Sequence, residues 1–354
     1  MFLTQQAAQN RLPVVLLSGF LGSGKTTLVN RLLRDPRLAD TAVAINEFGE
    51  VPLDQLLIEH GEDRTVVLAN GCLCCRLAGD FEDAVMRVFS RRQSGALPRF
   101  ARLLIEPSGL ADPAPIAQAI LRNPVMSGVL RLEAIIATVD AVLLEGQLAR
   151  HPETRKQIAL ADRLVVTKTD LADPATIERV TPALRRLNRL APIHHATFGA
   201  VDAASLLPRN FIEHTGSPAT QASYRSGLHA ELIEVDPAAA HGDETTAESL
   251  IADAPLAWRA FDAWLRGIRI GHARQLLRIK GLLNIVDTAG PVVIQCVEHV
   301  MHAPVALERW PTPDMRSRIV LLSRGLAPGM IQASWQRALP GLLDSTTQRT
   351  ANFH

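Results

Sequence analysis

The feature that most constrains this chain is an apolar run that breaks into a glycine-rich turn and continues with a helical pattern. The run covers residues 14–17, and Leu28, Val29, Leu32 and Leu33 follow the turn at helical spacing. Glycines in such a turn let successive backbone N–H groups converge on phosphate oxygens, and the helix N-terminus adds its positive end. The pattern therefore predicts a phosphate-binding P-loop. Its residues are Gly19, Gly22, Ser23, Gly24, Lys25, Thr26 and Thr27.

Two side chains of this loop suit a nucleoside triphosphate. Lys25 can neutralise charge on the β- and γ-phosphates, and Thr26 can offer its hydroxyl to Mg²⁺. An accidental glycine-rich turn is the alternative, but a strand before the turn and a helix after it are the context that the motif requires. We therefore expect this chain to bind a nucleoside triphosphate together with Mg²⁺.

Composition limits the other partners of the chain. The formal net charge is +1, from 37 basic and 36 acidic residues, so no overall field would gather nucleic acid or an anionic membrane. The first ten residues do not combine a basic stretch with an apolar one. No apolar run approaches the roughly 20 residues of a membrane span. The sequence thus predicts a cytoplasmic protein that uses neither nucleic acid nor a membrane as a partner.

Short β-branched or leucine-rich runs alternate with helical stretches up to residue 213. The predicted strands cover residues 14–18, 41–46, 65–69, 102–106, 134–139, 163–167 and 192–197. Strands that alternate with helices form right-handed crossovers and a mostly parallel sheet. The predicted fold class is therefore α/β, with a doubly wound, mostly parallel P-loop sheet in residues 1–213. A length of 354 residues leaves room for a smaller second domain.

The composition changes after residue 213. Residues 214–228 are small and polar, which predicts a linker. A loop is predicted at residues 236–246, and helices are predicted at residues 257–265 and after Pro328. The strands predicted in this part cover residues 230–235, 276–285, 292–297, 305–310 and 318–322. This order favours a smaller α+β domain with an antiparallel sheet in residues 229–340. Residues 341–354 are predicted to form a flexible tail.

A second motif resembles a base-reading loop. Thr167-Lys168-Thr169-Asp170 follows an apolar run, so it lies at the carboxyl end of a strand, where open α/β sheets bind ligands. The Asp170 carboxylate can accept both edge N–H groups of guanine, which adenine lacks, and the Lys168 stem can cover the face of the base. Thr167 stands where GTPases more often carry Asn, which weakens or removes one polar contact to the base. A solvated charged turn is the alternative, but the position after a P-loop favours guanine.

A third motif begins where another apolar strand ends. Glu106 closes the run at residues 103–105 and is followed by Pro107, Ser108 and Gly109. A carboxylate at this place can hold Mg²⁺ through water, and the backbone N–H of Gly109 can reach the γ-phosphate. A helix cap in a connecting loop is the alternative. The candidate catalytic residues are Lys25, Thr26, Glu106 and Gly109.

Three of the four cysteines, Cys72, Cys74 and Cys75, fall within four positions after an apolar run. Thiolates at alternate positions of an extended segment point to one side, and the adjacent Cys75 can turn in where the strand ends. Three soft ligands suit Zn²⁺, with Co²⁺ or Cu(I) as alternatives, and leave a fourth position open. Glu47 or Glu50, in the polar loop after the second strand, could complete the set, and solvated loop carboxylates without a ligand role are the alternative for both. Three small buried residues are the alternative interpretation.

Five motifs in this order resemble the CobW family of metallochaperone-type GTPases. The motifs are GFLGSGKTT at residues 19–27, NEFGE at 46–50, GCLCC at 71–75, EPSGLADP at 106–113 and TKTD at 167–170. In the second half, residues 278–281, 293–299 and 310–318 resemble the C-terminal domain of that family. The resemblance therefore covers most of the chain, from about residue 12 to about residue 338.

The resemblance implies slow GTP hydrolysis that is coupled to the binding and delivery of Zn²⁺ or Co²⁺ through Cys72, Cys74 and Cys75. The recipient would be an apo-metalloprotein or a cofactor pathway. If the γ-phosphate orders the loops that carry Glu47 and the cysteines, GTP and the metal favour one conformation reciprocally. A P-loop kinase for a small molecule is one alternative. A non-catalytic regulatory module that binds nucleotide and zinc is the other.

The chain departs from the family in one respect. Many relatives carry a His-rich tract near the interdomain region, whereas this stretch offers only the scattered His214, His229 and His241. We therefore do not expect metal buffering by a polyhistidine loop. Cys296, in a predicted strand of the second domain, is expected to be a small core residue.

Overall fold

A computed structural model describes residues 2–45, 65–67, 78–97, 99–207 and 245–343 of the chain. Its internal contacts divide the chain into two units, one with residues 11–211 and the other with residues 1–10 and 212–354. None of the helices in the described ranges is long and apolar enough to cross a membrane.

The N-terminal segment belongs to the second unit. Strand β1 (Leu3–Thr4) and helix α1 (Gln5–Gln9) open the chain. β1 pairs in parallel with Val305 and Ala306. The prediction that residues 1–10 are part of the first domain is therefore wrong. A two-residue strand has no periodicity in the sequence, and its partner lies about 300 positions away, so local patterning gives no signal of the pairing.

The sheet of the first unit is entirely parallel. Its strands are β2 (Leu12–Gly19), β3 (Thr41–Ile45), β4 (Thr65–Val67), β5 (Arg102–Glu106), β6 (Leu130–Asp140), β7 (Arg163–Thr167) and β8 (Ile193–His195). They follow the order β4-β3-β5-β2-β6-β7-β8. The chain therefore winds outward from the central β2 in both directions, and the predicted doubly wound α/β class is confirmed.

Two strands have the predicted bounds and one differs clearly. β5 and β7 begin and end where the sequence predicts. β6 begins at Leu130 rather than at residue 134, because its first residues alternate between buried leucines and the charged Arg131 and Glu133, whose side chains are mostly buried. This alternating start lacks the continuous apolar run that marks a fully buried parallel strand.

Helices cover both faces of this sheet. They are α2 (Lys25–Leu33), α3 (Ala78–Gln93), α4 (Pro113–Arg122), α5 (Pro124–Val129), α6 (Leu144–Arg150), α7 (Pro152–Leu160), α8 (Pro174–Leu187) and α9 (Ala203–Leu206). Leu28 of α2 packs in one apolar cluster, and Ile158 of α7 and Leu184 of α8 pack in another. Asp112 and Asp173 each accept a backbone N–H of the helix that follows, which begins with proline. These caps explain why α4 and α8 begin where they do.

In the described residues, the second unit contains a mixed sheet, helix α1 and two longer helices. After β1 its elements are β9 (Thr246–Ala252), α10 (Trp258–Gly271), β10 (Leu276–Leu283), β11 (Val292–Val297), β12 (Val300–Met301), β13 (Val305–Ala306), β14 (Ser317–Ser323) and α11 (Met330–Leu342). The strand order is β1-β13-β11-β10-β14-β9, with β12 beside β11. All pairs except β1 with β13 are antiparallel. Phe261 of α10 and Trp335 of α11 pack with Ile279 and Ile319 of the sheet.

Sequence patterning missed β9 in this unit. The predicted loop at residues 236–246 overlaps the strand, which begins at Thr246. Glu248 interrupts the apolar pattern, yet its side chain is buried and accepts a hydrogen bond from the backbone N–H of Gln332 at 2.7 Å. A long-range contact therefore binds one oxygen of a buried carboxylate that local patterning would place at the surface. The strand predicted at residues 230–235 lies outside the described residues.

The other differences concern lengths. α10 continues to Gly271 rather than to residue 265, and the strand predicted at residues 305–310 has only the two residues of β13. The limits predicted for the linker lie outside the described residues and therefore stay predictions. The predicted start of the tail at residue 341 differs from the structure, in which α11 continues to Leu342 and that side chain packs in the core.

Candidate functional site

The P-loop connects β2 to α2 at the carboxyl end of the parallel sheet. Its three glycines, Gly19, Gly22 and Gly24, have φ of 140°, 70° and 89°. Gly24 immediately precedes α2, and glycine adopts this left-handed conformation without the cost that a side chain would add. α2 therefore begins at Lys25, and the N–H groups of its first turn lie at the edge of the sheet where ligands bind in open α/β folds.

Lys25 lies across the P-loop. Its side chain is buried, and its ammonium donates hydrogen bonds to the carbonyl oxygens of Gly19 at 2.9 Å and Phe20 at 3.2 Å. These contacts keep the positive charge beside the backbone of the loop. Phosphate oxygens that approach this loop would therefore meet a cation that is already in position.

Thr26 and Glu106 come together although they are far apart in the sequence. The Thr26 hydroxyl donates to Glu106 Oε1 at 2.9 Å, and Glu106 is buried at the end of β5. β5 pairs directly with β2, so the P-loop and Glu106 emerge from neighbouring strands. A hydroxyl and a carboxylate are the hard oxygen donors that Mg²⁺ prefers, so these two residues fit the predicted magnesium site.

Gly109 lies against the backbone of the P-loop. A Cβ at this position would come within 2.6 Å of the backbone nitrogen of Leu21 and 2.8 Å of its Cα, so a side chain does not fit. The loop after β5 is therefore in direct contact with the phosphate-binding turn. This loop is also held from another side, because Gln157 Nε2 donates to the carbonyl oxygens of Gly109 at 3.1 Å and Ala111 at 3.0 Å.

The hydroxyls of Thr138 and Thr167 support the P-loop from neighbouring strands. The Thr167 hydroxyl is buried and lies 2.7 Å from the carbonyl oxygen of Ser23 and 3.1 Å from that of Val139. The Ser23 hydroxyl lies 2.7 Å from the Thr138 hydroxyl. The structure thus places Thr167 behind the phosphate loop. The predicted weakening of a base contact at this residue stays a prediction.

Lys168 is held by a carboxylate that sequence reasoning missed. Its Nζ lies 2.6 Å from Asp140 Oδ2, and the Asp140 side chain is buried at the end of β6. Asp140 Oδ1 also accepts the backbone N–H groups of Val142 and Leu143 at 2.9 and 3.1 Å. The sequence signal was present, since Asp140 follows a predicted strand as Glu106 does. Asp140 fixes both Lys168 and the neighbouring loop.

Asp170 lies beside an exposed aromatic residue. Its Oδ1 accepts the backbone N–H of Phe198 at 3.1 Å, and Arg31 of α2 donates to the Phe198 carbonyl at 3.2 Å. The Phe198 side chain is 67% exposed. Sequence reasoning missed this residue because it follows a short strand and belongs to no motif. The contact joins the backbone of an exposed aromatic residue to the carboxylate that is predicted to read the base.

Two non-glycine residues adopt left-handed backbone conformations in the described part of the first unit. They are Lys168 with φ of 57° and Phe198 with φ of 51°. Such conformations cost free energy and persist where surrounding contacts fix them, often at functional sites. Thr169, between Lys168 and Asp170, donates to the carbonyl oxygen of Ala196 at 3.2 Å and joins the two loops.

Thr27 completes the predicted nucleotide-binding set. It lies in the first turn of α2 with an exposed side chain. A Cβ on Gly199 would come within 3.0 Å of its Cγ2, so the segment after Phe198 packs on this residue. The first turn of α2 therefore adjoins both the phosphate loop and the loop that follows β8.

The predicted transition-metal ligands Cys72, Cys74, Cys75, Glu47 and Glu50 lie outside the described residues. Within the described ranges there is no group of three or more His, Cys, Asp or Glu residues that could hold a metal ion. The scattered histidines that replace a His-rich tract, His214, His229 and His241, also lie outside these ranges.

Cys296 is a core residue, as predicted. It is fully buried in β11 within the apolar cluster of the second unit. Burial raises the pKa of its thiol to about 12, so the reactive thiolate is strongly disfavoured there.

Comparison with known proteins finds two domain families in the chain. Residues 13–195 match the CobW/HypB/UreG nucleotide-binding domain, and residues 247–339 match the C-terminal domain of the cobalamin synthesis protein CobW. The first match contains the P-loop, Glu106 and the Thr167–Asp170 loop. The second contains the mixed sheet from β9 to β14.

Similar proteins carry names that refer to zinc and GTP. The zinc chaperone YjiA of Escherichia coli is 32% identical over 301 residues, which cover 83% of this chain and 88% of that protein. The zinc-regulated GTPase metalloprotein activator 1 of Schizosaccharomyces pombe is 32% identical over 200 residues, 54% of this chain and 47% of that protein. The crystal structure of Zn(II)-bound YjiA GTPase from E. coli is similar to this fold, with 27% identity, a TM-score of 0.65, and coverage of 95% of this chain and 100% of that one.

Proposed function

The chain belongs to the CobW family, and we propose that it is a GTP-binding and slowly GTP-hydrolysing metallochaperone. It binds Zn²⁺, or Co²⁺ as the alternative, at Cys72, Cys74 and Cys75, and delivers the ion to an apo-metalloprotein or a cofactor pathway. We place this activity in the cytoplasm. The observation that carries the proposal is the hydrogen bond between Thr26 and Glu106 next to the buried Lys25, which supports a site built for a triphosphate with Mg²⁺.

The phosphate end of the site supports binding of a nucleoside triphosphate. Lys25 supplies a cation, the first turn of α2 supplies backbone N–H groups, and Gly109 lies against the P-loop at Leu21. The N–H of Gly109 contacts the γ-phosphate in our proposal, so GTP and GDP differ in their contacts here. When bound, Mg²⁺ neutralises phosphate charge, and Thr26 and Glu106 are the residues that hold it.

The base end supports guanine rather than adenine. The exposed Asp170 carboxylate is an acceptor-only group, and guanine presents two N–H donors on one edge. Lys168, fixed by Asp140, covers one face of the base with its aliphatic stem. Phe198 donates its backbone N–H to Asp170, and its exposed side chain is available to the base.

Delivery of a metal requires that the nucleotide change the affinity of the metal site. Zn²⁺ is supported by the names of the relatives and by the soft donor set of the three cysteines. If the γ-phosphate orders the loop that carries Glu47 or Glu50, that carboxylate completes the metal site only in the GTP state. Such a coupling typically changes affinity roughly 5- to 150-fold, and it is reciprocal.

The test is a competition titration of Zn²⁺ and Co²⁺ against a chromophoric chelator, with the reduced protein loaded either with GDP or with a non-hydrolysable GTP analogue. We expect the affinity for the preferred ion to differ at least fivefold between the two loadings, in line with typical couplings of about 5- to 150-fold. Equal affinities would contradict the chaperone function and favour a structural or sensory metal site.

A variant pair separates the metal site from a general loss of thiols. Cys74→Ser should abolish metal-dependent stimulation of GTP hydrolysis, measured as phosphate release. Cys296→Ala removes one thiol from the core of the second unit, so stimulation should stay at the wild-type level. Unchanged stimulation in the Cys74 variant would overturn the proposed coupling. Phosphate release no higher than that of a Lys25→Ala variant would overturn the enzymatic part.

A further inference from the structure

Helix α7 touches two parts of the phosphate end at once. The His151 ring, just before the helix, stacks on Phe20 of the P-loop, with ring centroids 4.4 Å apart and an angle of 32° between the planes. One and a half turns later, Gln157 donates to the carbonyls of Gly109 and Ala111. α7 therefore links the P-loop to the loop that follows Glu106.

Gln157 is buried and makes these contacts with both hydrogens of one carboxamide nitrogen. Gln157 is 1% exposed, and the two acceptor carbonyls belong to Gly109 and Ala111, the residues before and after Leu110. The ψ angle of Gly109 sets the direction in which its carbonyl points. A hydrogen bond to this carbonyl therefore restrains that angle. Because glycine has wide conformational freedom, the backbone at Gly109 needs such an outside restraint to stay in one conformation.

Neighbouring contacts hold the rest of the loop in place. The backbone N–H of Ala111 donates to the Ser108 carbonyl at 2.9 Å, which closes the turn. Lys156, the residue before Gln157, pairs with Asp112 at 2.5 Å. Two consecutive residues of α7 thus hold the loop, one through buried carbonyls and one through a half-exposed carboxylate.

We infer that Gln157 is a positioning residue that fixes the Gly109 loop for contact with the γ-phosphate, and thereby sets the preference of the protein for GTP over GDP. The inference rests on the proposed function, in which the Gly109 N–H contacts that phosphate. Gln157 touches neither nucleotide nor metal in this scheme. Its effect passes through the Gly109–Leu110 and Ala111–Asp112 peptide groups.

Asn188 provides a matched control in the same unit. It is also a buried carboxamide, and its Nδ2 donates to the carbonyls of Ile158 and Ala161 at 2.8 Å each. These carbonyls lie at the C-terminal end of α7, whereas His151 and Gln157 engage the phosphate end. Loss of the Asn188 contacts should therefore lower stability without changing nucleotide preference.

The experiment measures Kd for GDP and for a non-hydrolysable GTP analogue, both with Mg²⁺, in wild type and three variants. Gln157→Met keeps the volume and removes the donor, Gln157→Glu keeps the shape and turns the donor into an acceptor, and Asn188→Leu is the control. We expect both Gln157 variants to lose at least tenfold affinity for the analogue and less than twofold for GDP. The Glu variant should lose more, because its carboxylate repels both carbonyls.

The role of Gln157 would be overturned if folded Gln157 variants lost the same affinity for both nucleotides, or if their ratio of the two Kd values stayed at the wild-type value. A changed ratio of the two Kd values in Asn188→Leu would overturn it too, because a general loss of stability would then be enough to change the nucleotide preference.

If the Gln157 variants do not fold, the inference is tested in the wild type by measuring proton exchange of the Gln157 side-chain amide. Slower exchange with the GTP analogue than with GDP supports the inference, and equal rates overturn it. Wild type that binds neither nucleotide would instead refute the proposed function itself.

Discussion

The two ends of the candidate nucleotide site are built differently. At the phosphate end, Lys25 and Glu106 are 8% and 4% exposed, and both contact the P-loop or its helix. At the base end, the Lys168 side chain is 35% exposed and Phe198 is 67% exposed. The phosphate end is therefore assembled within the sheet and its helix, whereas the base end presents its groups at a surface.

This difference has a physical reason. Phosphate recognition depends on fixed N–H groups and charges, which are most effective when they need no reorganisation and are shielded from water. Base recognition needs an open edge and faces that a planar ring can reach. We therefore expect the phosphate end to provide most of the affinity and the base end to provide most of the selectivity.

The strongest test compares the two lysines. Lys25→Ala should reduce affinity for GDP and GTP by at least about 100-fold, or about 2.8 kcal/mol, because it removes a buried cation from the phosphate site. Lys168→Ala should cost about tenfold or less, because its ammonium already pairs with Asp140 and only its stem faces the base. Isothermal titration with each nucleotide measures both. Similar losses in the two variants would contradict the difference between the ends.

Asp170→Asn tests selectivity at the base end. The amide offers one donor and one acceptor, which match the N–H and carbonyl edge of xanthine instead of the two N–H groups of guanine. We expect GTP affinity to fall about 10- to 100-fold, consistent with about 1.5–3 kcal/mol for hydrogen bonds to a charged group, and affinity for the xanthine nucleotide to rise. Competition between the two nucleotides measures the change. Equal weakening of both nucleotides would indicate a structural role for Asp170.

Thr167→Val tests the support behind the P-loop. The substitution keeps the shape and removes the hydroxyl that contacts the carbonyls of Ser23 and Val139. We expect a loss of about tenfold or less in affinity for GTP and GDP alike, since a hydrogen bond contributes about 0.5–1.5 kcal/mol. Guanine should stay preferred over xanthine. A change in base preference with unchanged phosphate affinity would show that Thr167 contacts the base.

Phe198→Ala should have the smallest effect. Loss of an exposed ring beside Asp170 should weaken binding of GTP and GDP by about fivefold, near 1 kcal/mol, at the low end of base–aromatic stacking. Phe198→Leu keeps an apolar side chain without the aromatic face and is the control. Fluorescence competition with both nucleotides measures the effect. Equal affinity in the Ala variant and the wild type would remove this ring from the base site.

Sequence patterning predicted the elements whose signals are local. β5 and β7 are continuous apolar runs that end in polar motifs, so their bounds and the carboxyl-end positions of Glu106 and Lys168 could be read directly. The P-loop could also be predicted from the sequence, because its glycines, Lys25 and Thr26 lie within eight residues of one another. Helix starts such as that of α8 follow from an Asp-Pro pair.

Patterning failed where a distant partner decides the structure. β1 exists because it pairs with β13, and β9 contains a buried glutamate that accepts a backbone N–H of α11. Gln157 looked like any polar residue of a helix, and Phe198 like any loop residue, since neither has a local signal. Their positions depend on the loops that β5 and β8 bring alongside them.

The sequence by itself determined the α/β fold, the phosphate and base motifs and the cysteine cluster, because each is encoded in residues that are close along the chain. Only the tertiary structure decided which side chain contacts which loop or helix. Thr26 with Glu106, Lys168 with Asp140, and Gly109 with Gln157 are all joined by the order of strands in the sheet. Strand order is set by the burial of whole elements against one another, and no short segment of sequence records it.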